Sequence, residues 1–137
     1  MNKNTWYMIE RLKAAGITES DAFALRRISM TLHRWHELEC GDGNDFASWS
    51  VERDEVTDKP YMVTHQHSGG HRRRPTPDRE KGALKRLAAI MAKYPGKREY
   101  VQTDPRGASL YVLNKRDVKR GEDIDSIYSS RGIAVYA

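Results

Sequence analysis

The spacing of apolar residues in this chain changes its period near residue 41. Before that point they recur every three or four positions, as in Leu25, Ile28 and Leu32, which is the repeat of an amphipathic helix. After residue 44 they alternate with polar residues, as in Trp49 and Val51, which is the repeat of a strand with one buried face. A chain that uses the two periods in separate segments is predicted to fold as an α+β protein.

Three helices are predicted from the helical spacing and from the residues that start and stop helices. The first covers 4–15, and its apolar stripe consists of Trp6, Ile9 and Leu12. The second begins near residue 18 or 20 and ends before Gly41, a residue type common just after a helix C-terminus. The third begins at Asp78 as N-cap and is stopped by 95–96, a Pro-Gly pair.

Strands are predicted near 48–53, 61–65, 99–103, 108–113 and 133–137. The link Asp104-Pro105-Arg106-Gly107 has the residues of a tight turn between antiparallel strands. Segment 66–77 has no apolar residue except its prolines, so we expect a mobile basic loop there, and 126–130 contains at most one helical turn. The predicted order is ααββαβββ: about three helices on one face of a mostly antiparallel sheet of four to five strands.

Length and composition predict a single domain over 1–137 that acts in the cytoplasm. A chain of 137 residues suits one domain, and its one cysteine excludes an internal disulfide framework. The longest apolar run, 87–92, is far too short to span a membrane. The first residues lack the apolar core of a secretory signal.

The net charge of +5 conceals two blocks of opposite sign. Segment 36–58 has eight acids and one base, a net charge of −7, whereas 71–98 has ten bases and two acids, a net charge of +8. Such blocks create local potentials that affect partners more than the total charge does. If the fold pairs the blocks, the basic one is neutralised; if it keeps them apart, docking on a partner through charge is favoured.

The basic block contains the contact residues that we predict for a partner. They are an arginine run followed by three bases on the third helix: Arg72, Arg73, Arg74, Lys81, Lys85 and Arg86. Arginine and lysine side chains in such a cluster can contact phosphates, and arginine also binds carboxylates of an acidic protein surface in bidentate fashion. A solvated helix face is the alternative explanation for the same pattern.

A weaker candidate site contains His33, His36 and Cys40. At helical spacing the three side chains could share one side of the second helix, and imidazole and thiolate are zinc ligands. Buried, hydrogen-bonded side chains explain the same residues without a metal, so no metal or other cofactor is predicted. The chain has no nucleophile elbow, phosphate-binding loop or dinucleotide-binding glycine pattern, and we do not expect an enzyme.

Three stretches resemble small uncharacterised proteins of bacteriophages and prophages. They are Met30–Gly41, Thr103–Tyr111 and Arg131–Tyr136. The resemblance implies a gene expressed in a bacterial host cell, and a protein that binds a host protein or nucleoprotein, as anti-defence inhibitors such as anti-CRISPR proteins do. Direct binding of DNA or RNA by segment 72–98 is the alternative, and a zinc-binding protein is a more remote one. The resemblance transfers no catalytic residue.

Overall fold

The architecture is α+β, with three helices and one antiparallel sheet. A computed structural model describes residues 3–39, 46–66, 71–74, 78–104 and 107–117. The helices are α1 (Lys3–Ala14), α2 (Glu19–Glu39) and α3 (Asp78–Met91). The strands are β1 (Phe46–Arg53), β2 (Pro60–Gln66), β3 (His71–Arg74), β4 (Lys97–Asp104) and β5 (Gly107–Asn114), and a 3-10 turn (Lys115–Asp117) follows. None of the described helices is long and apolar enough to cross a membrane.

The sheet has the strand order β3-β2-β1-β4-β5, and every neighbouring pair is antiparallel. Strands β1, β2 and β3 follow one another in space as in sequence, and β4 and β5 form a hairpin. The two groups meet where β1 pairs with β4, with Val51 opposite Val101. Helix α3 lies between the groups in sequence, so the chain crosses one face of the sheet before it returns to the centre.

The core lies between the three helices and one face of the sheet. Each helix contributes one apolar face, and the sheet contributes alternate residues of four strands. The buried apolar side chains of this core include Leu12, Leu25, Ile28, Leu32, Val51, Met62, Leu84, Leu87, Val101, Leu110 and Val112. Burial of this apolar surface is the main favourable term in folding, and it orients all three helices toward the sheet.

Helix α1 is also attached to the edge strand β5 through Arg11. The Nη2 atom of Arg11 donates a hydrogen bond of 3.3 Å to the Leu110 carbonyl oxygen. Its guanidinium carbon lies 4.1 Å from the centre of the Tyr111 ring, a cation–π contact. One side chain therefore bonds the backbone of β5 and covers an aromatic ring on that strand.

The predicted fold class is confirmed, and two details of the prediction are wrong. Residues 71–74, predicted as part of a mobile loop, form β3, because backbone hydrogen bonds to β2 do not require apolar side chains. Trp6, assigned to the apolar stripe of α1, is 50% exposed. The predicted helical turn at 126–130 and strand at 133–137 lie outside the described residues.

A polar cluster joins the start of α2 to the end of α3. The Thr18 hydroxyl caps α2 by accepting a hydrogen bond from the Asp21 backbone N–H at 3.3 Å. The Asp21 carboxylate in turn accepts hydrogen bonds from the Tyr94 hydroxyl at 2.6 Å and from Lys93 Nζ at 2.9 Å. These two partners, Tyr94 first and Lys93 second, lower the pKa of Asp21 from its ordinary value of 3.8.

We predict that Asp21→Asn destabilises the protein at neutral pH and that this difference disappears in acid. A carboxylate whose folded pKa is lowered contributes stability above its unfolded pKa, and the contribution is lost as the pH falls through the folded pKa. Urea unfolding of both proteins, at pH 7 and at a series of pH values below 3.8, measures the difference in their free energy of unfolding. Glu19→Gln removes an exposed carboxylate of the same turn and serves as control. A constant difference at every pH contradicts the prediction.

Candidate binding surfaces

Strand β3 places the predicted arginine run at the edge of the sheet. Arg74 pairs with Met62, Arg73 with Val63 and Arg72 with Thr64. Since paired residues of antiparallel strands share a face, positions 72 and 74 fall on the face that carries the helices, and position 73 falls on the other. The arginine run therefore divides between the two faces of an edge strand.

The other predicted contact residues lie on the outer side of α3. Lys81, Lys85 and Arg86 are exposed, whereas Leu84 and Leu87 on the same helix are buried. Within the described part of the chain, no carboxylate forms an ion pair with Lys85 or Arg86.

The two parts of the predicted contact set lie close to each other. Helix α3 packs on β2, the neighbour of β3. Only four residue steps separate Arg74 from Asp78, so the end of β3 lies within about 14 Å of the start of α3. The predicted contact residues thus lie on two neighbouring elements, β3 and α3. The group consists of Arg72, Arg73, Arg74, Lys81, Lys85 and Arg86, and it is called the basic surface below.

Three acids of the acidic block lie at the turn between β1 and β2. Residues 54–59, called the acidic tip below, contain Asp54, Glu55 and Asp58. The Asp54 Oδ1 atom accepts hydrogen bonds from the backbone N–H groups of Val56 at 2.8 Å and Thr57 at 3.0 Å, which is an Asx turn. Asp58 adopts a φ of +58°, a left-handed conformation that aspartate tolerates better than most residues.

A buried ion pair fixes the acidic tip to the sheet. Arg53 Nε donates to Glu99 Oε1 at 2.6 Å, and the two side chains are 10% and 2% exposed. Arg53 Nη1 also donates to the carbonyl oxygen of Asp58 at 2.8 Å. Arg53 therefore connects strand β4 to the last turn of the tip, across the central pair of strands.

A long ion pair joins the described parts of the two charge blocks. Asp58 Oδ1 lies 4.0 Å from Arg98 Nη1, and Asp58 is 70% exposed; a long pair in solvent contributes little. Lys93, another base of the basic block, binds Asp21 of the N-terminal segment instead. Among the described residues, Lys85 and Arg86 of the basic surface are exposed and have no carboxylate partner.

The zinc candidate stays a prediction. His33 is half-buried on α2, but the side chain of His36 and the whole of Cys40 lie outside the described residues. Over the ranges that are described, no group of three or more histidine, cysteine, aspartate or glutamate side chains is placed to hold a metal ion.

Sequence reasoning missed the exposed apolar side chains of the helices. Met30 is 48% exposed on α2, and its position between Ile28 and Leu32 is out of phase with the buried stripe, so the spacing contained that signal. Trp6 fits the helical spacing of α1, and no local signal indicates that it lies outside the core.

Comparison with protein-family models, curated proteins and solved structures finds no match to this chain. The likeness to phage proteins therefore stays a prediction, and the function is argued from the surfaces alone.

We predict that Glu99→Leu lowers the free energy of unfolding by about 3–5 kcal/mol, because it leaves the Arg53 guanidinium buried without its counter-charge. The double variant Arg53→Met/Glu99→Leu should recover much of that loss, since an apolar pair needs no desolvation of charge. Urea denaturation compares the variants, with Glu52→Leu at an exposed neighbouring position as control. If the double variant is less stable than Glu99→Leu, the ion pair is not the source of the effect.

Proposed function

We propose that this chain is a non-enzymatic accessory protein of phage type that binds a host protein or nucleoprotein in the bacterial cytoplasm. The binding site is the basic surface, and the partner presents carboxylates or phosphates to it. An anti-defence inhibitor of the anti-CRISPR kind acts in this way, by occupying a charged surface of a host complex.

The observation that carries the proposal is the exposure of Lys85 and Arg86 without a carboxylate partner among the described residues. By contrast, two cations that stabilise the fold have carboxylate partners: Arg53 forms a buried ion pair with Glu99, and Lys93 forms an ion pair with Asp21. Unpaired exposed cations beside an arginine-rich edge strand instead create a positive potential. Such a potential accelerates association with a negatively charged partner.

Interfaces of this type obtain most of their binding energy from a few side chains, with arginine among the residue types that contribute most. Arginine also forms bidentate hydrogen bonds with carboxylates and phosphates, which lysine cannot do. We therefore assign the larger contribution to Arg72, Arg73, Arg74 and Arg86, and a steering contribution to Lys81 and Lys85.

We predict that Arg72→Ala/Arg73→Ala/Arg74→Ala and Lys85→Ala/Arg86→Ala each release the partner in an affinity capture from bacterial lysate. Both variants should fold as the wild type does, because β3 pairs through its backbone and Lys85 and Arg86 are exposed. Lys59→Ala/Lys115→Ala removes two exposed charges, one just before β2 and one just after β5. It is the matched control and should retain the partner. A partner that stays bound to both basic-surface variants overturns the assignment of the site.

Direct nucleic-acid binding is the second candidate, because the same unpaired cations suit phosphates. If all six side chains of the basic surface contact duplex phosphates, the slope of log affinity against log salt should be about −5. The triple arginine variant should then reduce the slope by about 3. Fluorescence anisotropy with duplex and single-stranded oligonucleotides measures both quantities. No binding at low salt excludes this candidate and leaves a protein partner.

A further inference from the structure

The hairpin of β2 and β3 brings two histidines to directly opposite positions. The register of the two strands pairs His65, near the end of β2, with His71, the first residue of β3. Opposite residues of antiparallel strands share a face and have Cβ atoms about 4.5–5.5 Å apart. Because 71–74 carries no strand pattern in the sequence, only the pairing of β3 with β2 reveals this juxtaposition. His65 and His71 are called the histidine pair below.

The histidine pair lies on the face of the sheet that does not carry the helices. Met62 belongs to the core between the sheet and the helices, and successive positions of a strand alternate between the two faces. Position 65 therefore belongs to the opposite face, and position 71 shares that face through its pairing. The pair is thus separate from the core and from the three described helices.

Two imidazoles at this separation have the chemistry of a transition-metal site. Imidazole nitrogen is a ligand that suits Zn²⁺, Cu²⁺ and Ni²⁺. A tetrahedral zinc ion binds each nitrogen at about 2.0–2.1 Å, which places two such nitrogens about 3.3 Å from each other. Imidazole side chains whose Cβ atoms are about 5 Å apart are long enough to meet at one ion. The register therefore supplies the spacing that a two-histidine site needs.

The arginine run next to His71 opposes a bound cation less than its sequence suggests. Alternation along β3 divides the run between the two faces of the sheet. Positions 72 and 74 belong to the face that carries the helices, and only position 73 shares the face of His71. Neighbouring positions on one face are about 6.6 Å apart along a strand. One position of the run, rather than three, therefore shares the face of the histidine pair.

We propose that the histidine pair binds a divalent transition-metal ion, with one imidazole from β2 and one from β3. Water completes the coordination, because the pair supplies two ligands and zinc takes four. For a site of this kind the affinity should be higher for Cu²⁺ than for Zn²⁺. This site differs from the zinc candidate of His33, His36 and Cys40 on the second helix, and it does not rest on the proposed function.

A metal ion in this site stabilises the pairing of β3 with β2. Strand β3 has four residues, and its described pairing is with β2 alone. The ion binds both histidines only while the two strands are paired, so its binding free energy favours the paired state. The ion therefore acts as a clip that connects the two strands through side chains, in addition to their backbone hydrogen bonds.

Isothermal titration of the full chain with Zn²⁺ alone, and with Cu²⁺ alone, tests the proposal. The wild type should bind one ion per chain at the pair and should not bind Mg²⁺, which prefers oxygen ligands. His65→Ala and His71→Ala should each lower the affinity for Zn²⁺ at least about tenfold, since even a residue that only orients a ligand contributes that much. His33→Ala is the matched control and should bind as the wild type does. Circular dichroism checks that each variant is folded.

A double variant tests whether the register, rather than the number of histidines, creates the site. His71→Ala/Arg72→His keeps all five histidines but moves one to the position opposite Thr64, on the other face. It should bind Zn²⁺ no better than His71→Ala does. Wild-type affinity in this double variant overturns the proposal, and so does Zn²⁺ binding that survives in both single variants of the pair. A wild type that binds no Zn²⁺ up to about 1 mM overturns it as well.

Discussion

The pairing of β1 with β4 holds this fold together. Strands β1 to β3 form one antiparallel group and β4 with β5 forms another, and a two-stranded hairpin alone is at best marginally stable in water. Backbone bonds between β1 and β4 join them, with Val51 beside Val101 on the core side. The buried Arg53–Glu99 pair lies on the same junction. The helices pack on a continuous face only because this junction is closed.

Much of the architecture was predictable because local spacing determines it. The helical stripe of Leu25, Ile28 and Leu32 and the alternation around Val51 report directly which face is buried. Strand β3 was not predictable in this way: its arginines have no apolar alternation, and only the pairing with β2 makes it a strand. The partnership of Arg53 and Glu99, 46 positions apart in the chain, likewise depends on the fold of the sheet, which single residues do not encode.

The candidate site was predictable in its residues but not in its geometry. The arginine run and the lysines of α3 stand out as a block of like charge in the sequence. Whether the neighbouring acidic block would neutralise them depended on long-range placement. In the structure, three of the acids lie at the acidic tip, and the cations Lys85 and Arg86 lie on the exposed side of α3. The exposure of Met30 was predictable from its spacing, whereas the exposure of Trp6 depended on tertiary packing that residue spacing does not determine.

The two edges of the sheet are protected against further growth by different means. At β5, Arg11 bonds a strand carbonyl and lies over Tyr111, so a helix occupies the neighbourhood of that edge. At β3 the protection is electrostatic, since an antiparallel partner of the same sequence would bring arginine opposite arginine. Among the described strands, β3 therefore disfavours pairing with its own copies by charge alone, with no apolar side chain involved.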